Sequence, residues 1–399
     1  MVRSLSTSKS RPRRFAAFAL ATLGPALALA ACGPSRGPEV VAADGVLCDL
    51  TQRLAGSDLQ VACLLQPGDD PHQFHLTPQQ SQQLKGAQLV LVNGYGLTPT
   101  LEKQSRAVAV AELAVPHTPR LDAQGHHSGE GHEAKPGTKT REPGPERPHD
   151  NEPKDQHDGE AASGAISGAE SDHEARHPPV SQRQAGHDEE PHGHGDRDPH
   201  VWHDPAQAIA MVQLVAHQLE ALKPQARQRI AGRAAAMVAV LQQLDRWNRQ
   251  QFATIPAPPS PLATGHRAFA SLARAYGLRE LPVVDSLSSS KALRPQAFAA
   301  VIAQLKRDKV TTLFAETLPA SKSLQRISAL SGVPIAPAPL VADGLAKGAG
   351  LAGAQGSPAQ GSSLVATLTT NTCLIVNGLK GRCDQAGQRR LVLQWAAIP

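Results

Sequence analysis

The sequence predicts an α/β protein in which two βα lobes are joined by a long rigid helix. Three observations support this fold: short apolar runs alternate with helical patterns over residues 36–120, apolar residues recur at helical spacing over 200–255, and the alternation returns over 258–399. A polar, histidine-rich stretch interrupts this order over residues 121–199. We therefore predict an N-terminal lobe, an insert, a linking helix and a C-terminal lobe.

The N-terminal lobe is predicted to repeat a strand–helix unit. Strands are expected over residues 40–43, 59–65 and 89–92, and the first helix over 47–55. Thr77 and Pro78 suit the start of a second helix, because a threonine hydroxyl can accept a hydrogen bond at the N-cap and proline fits the first helical turn.

The linking helix is predicted to break or kink at Lys223-Pro224, because proline lacks the amide donor and disfavours helix in the residue before it. In the C-terminal lobe we expect strands over residues 262–264, 281–284, 310–315 and 333–336, and helices over 267–276, 295–306 and 321–330. Gly277 and Gly332 stand where helix C-caps are expected. In sheets of this kind, ligands bind at the carboxyl ends of the strands.

Charge and composition exclude one class of partner. Much of the formal net charge of +5 comes from basic residues at the start of the chain, and aromatic residues make up only 3% of the sequence. Nucleic-acid binding needs a basic surface, and stacking on bases needs aromatic side chains. We therefore expect no nucleic-acid partner and a small ligand without an aromatic face.

Residues 1–32 are predicted to be a lipoprotein signal peptide. A basic start is followed by a mostly apolar run over residues 15–30, which is short of the roughly 20 residues that a membrane span needs. The run ends in Leu29-Ala30-Ala31-Cys32, so Cys32 is expected to carry the lipid; a plain secretory signal is the alternative. Either form exports the chain. Because Arg13-Arg14 leaves twin-arginine export possible, the route stays open between that and general secretion.

Export exposes the other cysteines to an oxidising compartment. We expect sequence-local disulfides between Cys48 and Cys63 and between Cys373 and Cys383; the alternatives are other pairings or buried free thiols. A thiolate metal site is less favoured, because the sequence has no CxxC spacing.

Histidine dominates the insert over residues 121–199, which holds ten of the 17 histidines among Pro, Gly, Asp and Glu. Such a composition cannot bury enough apolar surface to order itself, and imidazole is the commonest metal-binding side chain. We interpret the insert as a disordered, metal-binding loop.

Four loops carry metal-ligand residue types. Three follow predicted strands, and one closes the insert and opens the linking helix. They contain His72 in Asp70-Pro71-His72, His200 in Asp198-Pro199-His200, His266 and Asp343. Three imidazoles and one carboxylate suit tetrahedral Zn²⁺. Glu316 or a water molecule is the alternative to Asp343. Asp70 and Asp198 could each accept the second ring N–H of the following histidine or could cap a turn.

With these motifs the chain resembles the substrate-binding proteins of zinc and manganese ABC importers. The likeness lies in Gly68-Asp69-Asp70-Pro71-His72-Gln73-Phe74 with Thr77-Pro78, Asn93-Gly94-Tyr95-Gly96-Leu97, Asp198-Pro199-His200-Val201-Trp202, His266-Arg267-Ala268-Phe269 and Tyr276-Gly277-Leu278. The resemblance implies a metal site in the interlobe cleft, with His72, His200, His266 and Asp343 as ligands. The insert fits the resemblance as well, because zinc-type members of this family often carry a His-rich loop at this place.

The sequence departs from the family pattern at three positions. The family usually has an acidic residue where Gln80 stands, another where Thr98 stands, and leucine where His203 stands. None of these changes removes a presumed ligand.

These observations predict a lipid-anchored periplasmic or extracytoplasmic monomer, not an enzyme, that captures Zn²⁺ and delivers it to an ABC permease and its ATPase. Imidazole-rich ligand sets favour zinc over Mn²⁺, and the resemblance implies that manganese-type relatives tend to have a carboxylate near His266. The alternatives are a manganese-binding protein of the same family and a metal-buffering or adhesin lipoprotein. Residues 173–177 read His-Glu-Ala-Arg-His and match the HExxH pattern, but they stand in the Pro- and Gly-rich insert and not on a predicted helix. A secreted zinc hydrolase is therefore a disfavoured alternative.

Overall fold

The computed structural model describes residues 37–118, 197–283, 295–347 and 362–399 of the 399-residue chain. The predicted leader, including Cys32, and residues 121–196 of the predicted insert lie outside the described residues. In the part that is described, no helix combines the length and the apolar character needed to cross a membrane.

The N-terminal half forms a four-stranded parallel sheet with the strand order β2-β1-β3-β4. Its elements are β1 (Val40–Ala42), α1 (Gly45–Ala55), β2 (Val61–Cys63), α2 (Pro78–Gly86), β3 (Leu89–Val92), α3 (Pro99–Glu102), β4 (Ala107–Ala109) and α4 (Val110–Ala114). The two central strands, β1 and β3, are buried along their whole length. This explains why both read as uninterrupted apolar runs, since strands covered on both faces show no polar alternation.

The linking region differs from the single helix predicted over residues 200–255. It consists of α5 (Pro205–Leu222) and α6 (Arg227–Phe252), which pack against each other and are separated by a short 3₁₀ turn at Pro224–Ala226. The break falls at Lys223-Pro224, as the missing proline amide predicts. α5 packs against α1 and α4, whereas α6 continues to elements of the C-terminal half. The connection between the two halves is therefore α6, with α5 packed along it.

The C-terminal half contains a three-stranded parallel sheet with the order β6-β5-β7. Its elements are β5 (Leu262–Thr264), α7 (Ala270–Tyr276), β6 (Glu280–Pro282), α8 (Pro295–Arg307), β7 (Leu313–Phe314) and α9 (Lys322–Ser331). The predicted C-caps Gly277 and Gly332 are both left-handed, with φ of 70° and 76°. The strand predicted over residues 333–336 is wrong: only one bridge, between Leu313 and Ile335, is present. Proline at position 334 has no N–H to extend the pairing.

Two C-terminal helices, α10 (Leu364–Gly378) and α11 (Gln385–Ala396), return to the first half of the molecule. Asp49 of α1 accepts hydrogen bonds from the Leu364 amide and from the Trp395 indole, both at 2.9 Å. The C-terminal segment, which the sequence assigned to the lobe over residues 258–399, therefore also contributes to the core that contains the first sheet.

Both predicted disulfides are present, between Cys48 and Cys63 and between Cys373 and Cys383. The first joins α1 to β2, and the second joins α10 to the turn before α11.

Candidate metal centre

His72 lies in the loop after β2, on a 3₁₀ turn at Pro71–Gln73 that Asp70 caps. One oxygen of Asp70 accepts from the His72 amide at 2.8 Å, and the other accepts from Gln73 Nε2 at 2.7 Å. The sequence left two roles open for Asp70, accepting the second ring N–H of His72 or capping a turn. In the structure Asp70 caps the turn. It fixes the backbone of His72 and leaves the ring to be placed by other contacts.

The next helix start explains one departure from the family pattern. Thr77 and Gln80 form a reciprocal capping box at the start of α2, and Gln80 Nε2 also donates to the carbonyl oxygen of Leu64 at 2.8 Å. An ionised acid could not make this last bond, because it has no donor. Gln80 therefore ties α2 to the end of β2, just before the His72 loop.

His200 is carried by a segment that is fastened to the first lobe. The Thr118 hydroxyl donates to the carbonyl of Asp198, and Asn93 Nδ2 donates to that of Pro199, both at 2.9 Å. One carboxylate oxygen of Asp198 then accepts both the His200 amide at 2.9 Å and the ring Nδ1 at 2.8 Å. Because Nδ1 is occupied in this way, Nε2 of His200 is the nitrogen that faces the cleft.

His266 follows β5, and two buried carboxylates hold the loop around it. Glu316 accepts from the Gly265 amide at 2.8 Å, and Glu280 accepts from the Phe269 amide at 2.8 Å. Gly265 is required here, because a Cβ atom would collide with the Glu316 carboxylate. The His266 side chain is 1% exposed, and neither ring nitrogen has a hydrogen-bond partner among the described residues.

The structure brings the three predicted histidines, His72, His200 and His266, together around the carboxylate of Asp343. Oδ1 of Asp343 lies 2.9 Å from His200 Nε2 and 3.3 Å from His72 Nε2, and Oδ2 lies 3.7 Å from His266 Nε2. The ring centroids of His72 and His200 are 5.6 Å apart, and those of His200 and His266 are 5.9 Å apart. Ligand atoms of His72, His200 and Asp343 all lie within 4.8 Å of one another. These separations allow His72, His200 and Asp343 to share one ion, with His266 Nε2 beside them.

The predicted alternative ligand, Glu316, lies on the other side of the His266 ring. Its Oε1 is 3.7 Å from Nδ1 of His266, whereas Asp343 faces Nε2. Burial raises the pKa of Glu316 to about 7, partly offset by the backbone amides that it accepts. Glu316 therefore shapes the loop of His266, and Asp343 is the carboxylate that faces the imidazoles.

The charges of the site are arranged as a cation between two anions. Burial disfavours the charged form of His200, but its hydrogen bonds to Asp198 and Asp343 outweigh burial and raise its pKa to about 10. Burial likewise opposes ionisation of Asp343, yet its contacts with His200 and His72 hold the pKa of this carboxyl well below its usual range. Burial lowers the pKa of His266 to about 4. At neutral pH the pocket thus favours a protonated His200 and a neutral His266, and a metal ligand must be neutral.

Sequence reasoning gave no structural role to His203. This side chain is 1% exposed, its Nε2 donates to the carbonyl oxygen of Ala342 at 2.9 Å, and its ring packs on Phe269 with centroids 4.7 Å apart. The only signal in the sequence was the departure from the leucine that the family has at this position.

Two α/β halves with three imidazoles and a carboxylate brought together between them have the architecture of a solute-binding protein whose solute is a metal ion. The chain belongs to the family of the zinc-uptake complex component A, periplasmic, whose model matches residues 40–375. Members of this family work with an ABC permease and its ATPase.

Individual relatives share the fold and differ in the metal that they are named for. The chain is 22% identical over 309 residues to the manganese ABC transporter substrate-binding lipoprotein PsaA of Streptococcus pneumoniae, covering 77% of this chain and 81% of PsaA. It is 26% identical over 271 residues to the zinc-binding protein TroA of Treponema pallidum, covering 67% of this chain and 68% of TroA.

A solved structure of the periplasmic zinc-binding protein TroA from Treponema pallidum is similar to this fold. The TM-score is 0.58 at 22% identity, and the alignment covers 86% of this chain and 99% of that one. Together with the family match, these comparisons confirm the α/β fold. They also confirm that the chain is the metal-binding component of an ABC importer and not an enzyme.

Proposed function

We propose that this chain captures Zn²⁺ in the interlobe cleft and delivers it to its permease, with His72, His200, His266 and Asp343 as the ligands. The observation that carries the proposal is the convergence of three Nε2 atoms on the Asp343 carboxylate, at 2.9, 3.3 and 3.7 Å. Three imidazoles and a carboxylate from distant parts of the chain form a four-ligand set of the kind that zinc takes.

The donor set favours zinc over manganese. Imidazole nitrogen suits Zn²⁺, whereas Mn²⁺ prefers carboxylate, carbonyl and water oxygen. The second carboxylate nearby, Glu316, is engaged by the Gly265 amide and faces the far side of His266. A manganese-binding protein of the same family is the alternative, since PsaA is named for manganese and TroA for zinc.

We further propose that the chain acts as a lipid-anchored monomer, held at the membrane through Cys32. The relative PsaA is named a lipoprotein. Anchoring would keep the protein next to the permease and its ATPase. The histidine-rich insert over residues 121–199 acts as a weak collector or occupancy sensor; its two ends are joined where Arg197 Nη1 donates to the Thr118 carbonyl at 3.0 Å.

The ligand assignment is tested by calorimetric titration with zinc. His200→Ala is expected to lower zinc affinity far more than deletion of residues 121–191, because only the former removes a side chain from the cleft. His217→Ala removes an exposed histidine of α5 and is the matched control, expected to bind as the wild type does. Equal losses for His200→Ala and the deletion would overturn the assignment.

The identity of the metal is tested by native mass spectrometry with elemental analysis of the exported protein, intact and loop-deleted. We expect one zinc ion in the loop-deleted protein and additional ions in the intact one. Manganese in the loop-deleted protein would establish the alternative function. In the cell, unchanged zinc uptake after deletion of the whole chain would point instead to a metal-buffering or adhesin role.

A further inference from the structure

His203 stands at the junction between the two halves of the molecule. It ends the 3₁₀ turn Val201–His203, which follows directly on His200 and is continuous with α5. Through Pro199 and the hydrogen bond from Asn93, this turn is fixed to the first lobe. Besides its contact with the neighbouring Trp202 ring, the His203 ring reaches the second lobe, where it donates to the Ala342 carbonyl and packs on Phe269.

The hydrogen bond from His203 holds the residue next to the predicted carboxylate ligand. Nε2 donates to the carbonyl oxygen of Ala342 at 2.9 Å, and Asp343 is the next residue. Burial lowers the pKa of His203 to about 4, so the ring is neutral and carries one proton. Because the carbonyl of Ala342 can only accept, that proton lies on Nε2.

A second anchor ties the same segment to α10. Asn371 of α10 accepts from the Val341 amide at 2.9 Å and donates to the Val341 carbonyl at 2.8 Å. The two anchors therefore differ in what they connect: Asn371 ties the segment to α10, whereas His203 ties it to the turn that follows His200.

We propose that His203 is a positioning residue that latches the Asp343 segment to the first lobe and thereby slows release of the bound metal. Leucine, the usual residue of the family here, can fill the space but cannot donate to Ala342. The departure at this position thus adds one interlobe hydrogen bond directly beside the site. This inference rests on the proposed function, since it needs Asp343 to be a metal ligand.

The latch is tested by the rate at which zinc leaves the loaded, full-length protein when an excess of a chromogenic chelator is added. We expect His203→Leu to release zinc about tenfold faster, as the loss of one buried hydrogen bond implies. His203→Gln, whose amide can still donate to Ala342, should release zinc at nearly the wild-type rate. His217→Leu, on the exposed face of α5, is the matched control.

A purely structural role would give a different result. It would lower the unfolding temperature of the metal-free Leu variant without changing its release rate, and that outcome would overturn the latch. Equal rates for the Gln and Leu variants would overturn it as well. If His203→Leu does not fold, His203→Asn takes its place, because the shorter Asn side chain is polar but does not reach the Ala342 carbonyl. We expect His203→Asn to release zinc faster than His203→Gln. Equal release rates for these two variants would count against the latch.

The same measurements separate this inference from the proposed function. If the wild type holds no zinc that depends on His200, the proposed function fails. If it holds such an ion and His203→Leu releases it at the wild-type rate, only the latch fails.

Discussion

One oxygen of Asp198 accepts two hydrogen bonds from His200, from its amide at 2.9 Å and from its ring Nδ1 at 2.8 Å. Asp70, at the same place relative to His72, accepts from the amide at 2.8 Å, and its other oxygen accepts from Gln73. Two similar Asp-Pro-His segments therefore work differently. Asp198 orients the imidazole itself, whereas Asp70 shapes only the turn that carries one.

This contrast predicts unequal effects of the two aspartates on zinc affinity. Asp198→Asn is expected to lower affinity about 10- to 100-fold, since a carboxylate that accepts the second ring N–H orients the imidazole and raises its basicity. Asp70→Asn should have a smaller effect, because an amide oxygen can still cap the turn. Competition titration against a chelator of known affinity measures both variants. Equal losses would show that the ring contact has no special role.

Zinc binding is predicted to release a proton from His200. Its Nε2 donates toward Asp343 in the metal-free site, and with a pKa of about 10 the ring holds both protons at neutral pH. A metal ion must displace the proton on Nε2, so zinc affinity should rise with pH from neutrality up to about 10. The unperturbed histidine value near 6.5 would instead place the whole effect at lower pH.

Calorimetry in buffers of different ionisation enthalpy measures this proton directly. At pH 7.5 we expect close to one proton released per zinc bound by the wild type. His217→Ala, which removes an exposed histidine, should leave that number unchanged. Binding enthalpies that do not depend on the buffer would contradict the charged state of His200.

Local sequence patterns predicted most of the strands and several caps, but not β4 (Ala107–Ala109) or the C-terminal helices. Val40–Ala42 and Leu89–Val92 were recognisable because they are short apolar runs ended by turn residues. α10 (Leu364–Gly378) escaped because it is buried on nearly all sides and rich in threonine, so it shows neither a polar face nor strong helix formers. Its neighbour α11 (Gln385–Ala396) was not predicted either.

The candidate site, like the fold, could be predicted only where a local motif marks it. His72 and His200 stand in distinctive local motifs, and both appear in the cleft. The orientation of Glu316 behind His266 depends on the pairing of β7 with β5. The contact of His203 with Ala342 depends on how the two lobes approach each other. Sequence spacing carries no information about that approach.

Asp44 is predicted to destabilise the protein at neutral pH. It caps α1 by accepting from the Leu47 amide at 2.9 Å, but its second oxygen is buried with no hydrogen-bond partner in the described part of the chain. Burial raises its pKa to about 6, although the amides of Leu47 and Val46 oppose the shift. The folded state therefore binds this proton more tightly than the unfolded state. The resulting stability is fully present below pH 3.8 and is lost as pH rises through about 6.

Asp44→Asn should accordingly stabilise the metal-free protein at pH 7.5, by on the order of 3 kcal/mol, because the amide keeps the cap without a buried charge. The gain should vanish near pH 4. Urea unfolding at both pH values measures it. Asp384→Asn, at the exposed N-cap of α11, is the matched control and should give no gain at pH 7.5. A gain for Asp44→Asn that is the same at both pH values would contradict the assigned cause.

The buried indole of Trp395 is predicted to matter through its N–H group as well as its size. Its Nε1 donates to Asp49 at 2.9 Å, and the same carboxylate oxygen accepts the Leu364 amide that begins α10. Trp395→Phe keeps an aromatic ring but removes the donor. We expect the free energy of unfolding to fall by about 1.5–3 kcal/mol for this charged hydrogen bond, in addition to the loss from the smaller ring.

Trp247→Phe separates these two contributions. Trp247 is 6% exposed, and its Nε1 has no hydrogen-bond partner among the described residues, so the substitution there removes ring volume and a donor that makes no hydrogen bond. Chemical denaturation of both variants should show the larger loss for Trp395→Phe. Adding Asp49→Asn to each variant completes the comparison: the two changes should be coupled for Trp395, which shares a hydrogen bond with Asp49, and additive for Trp247. Additive effects in both pairs would mean that Asp49 does not hold the C-terminal helices to the first lobe through this indole.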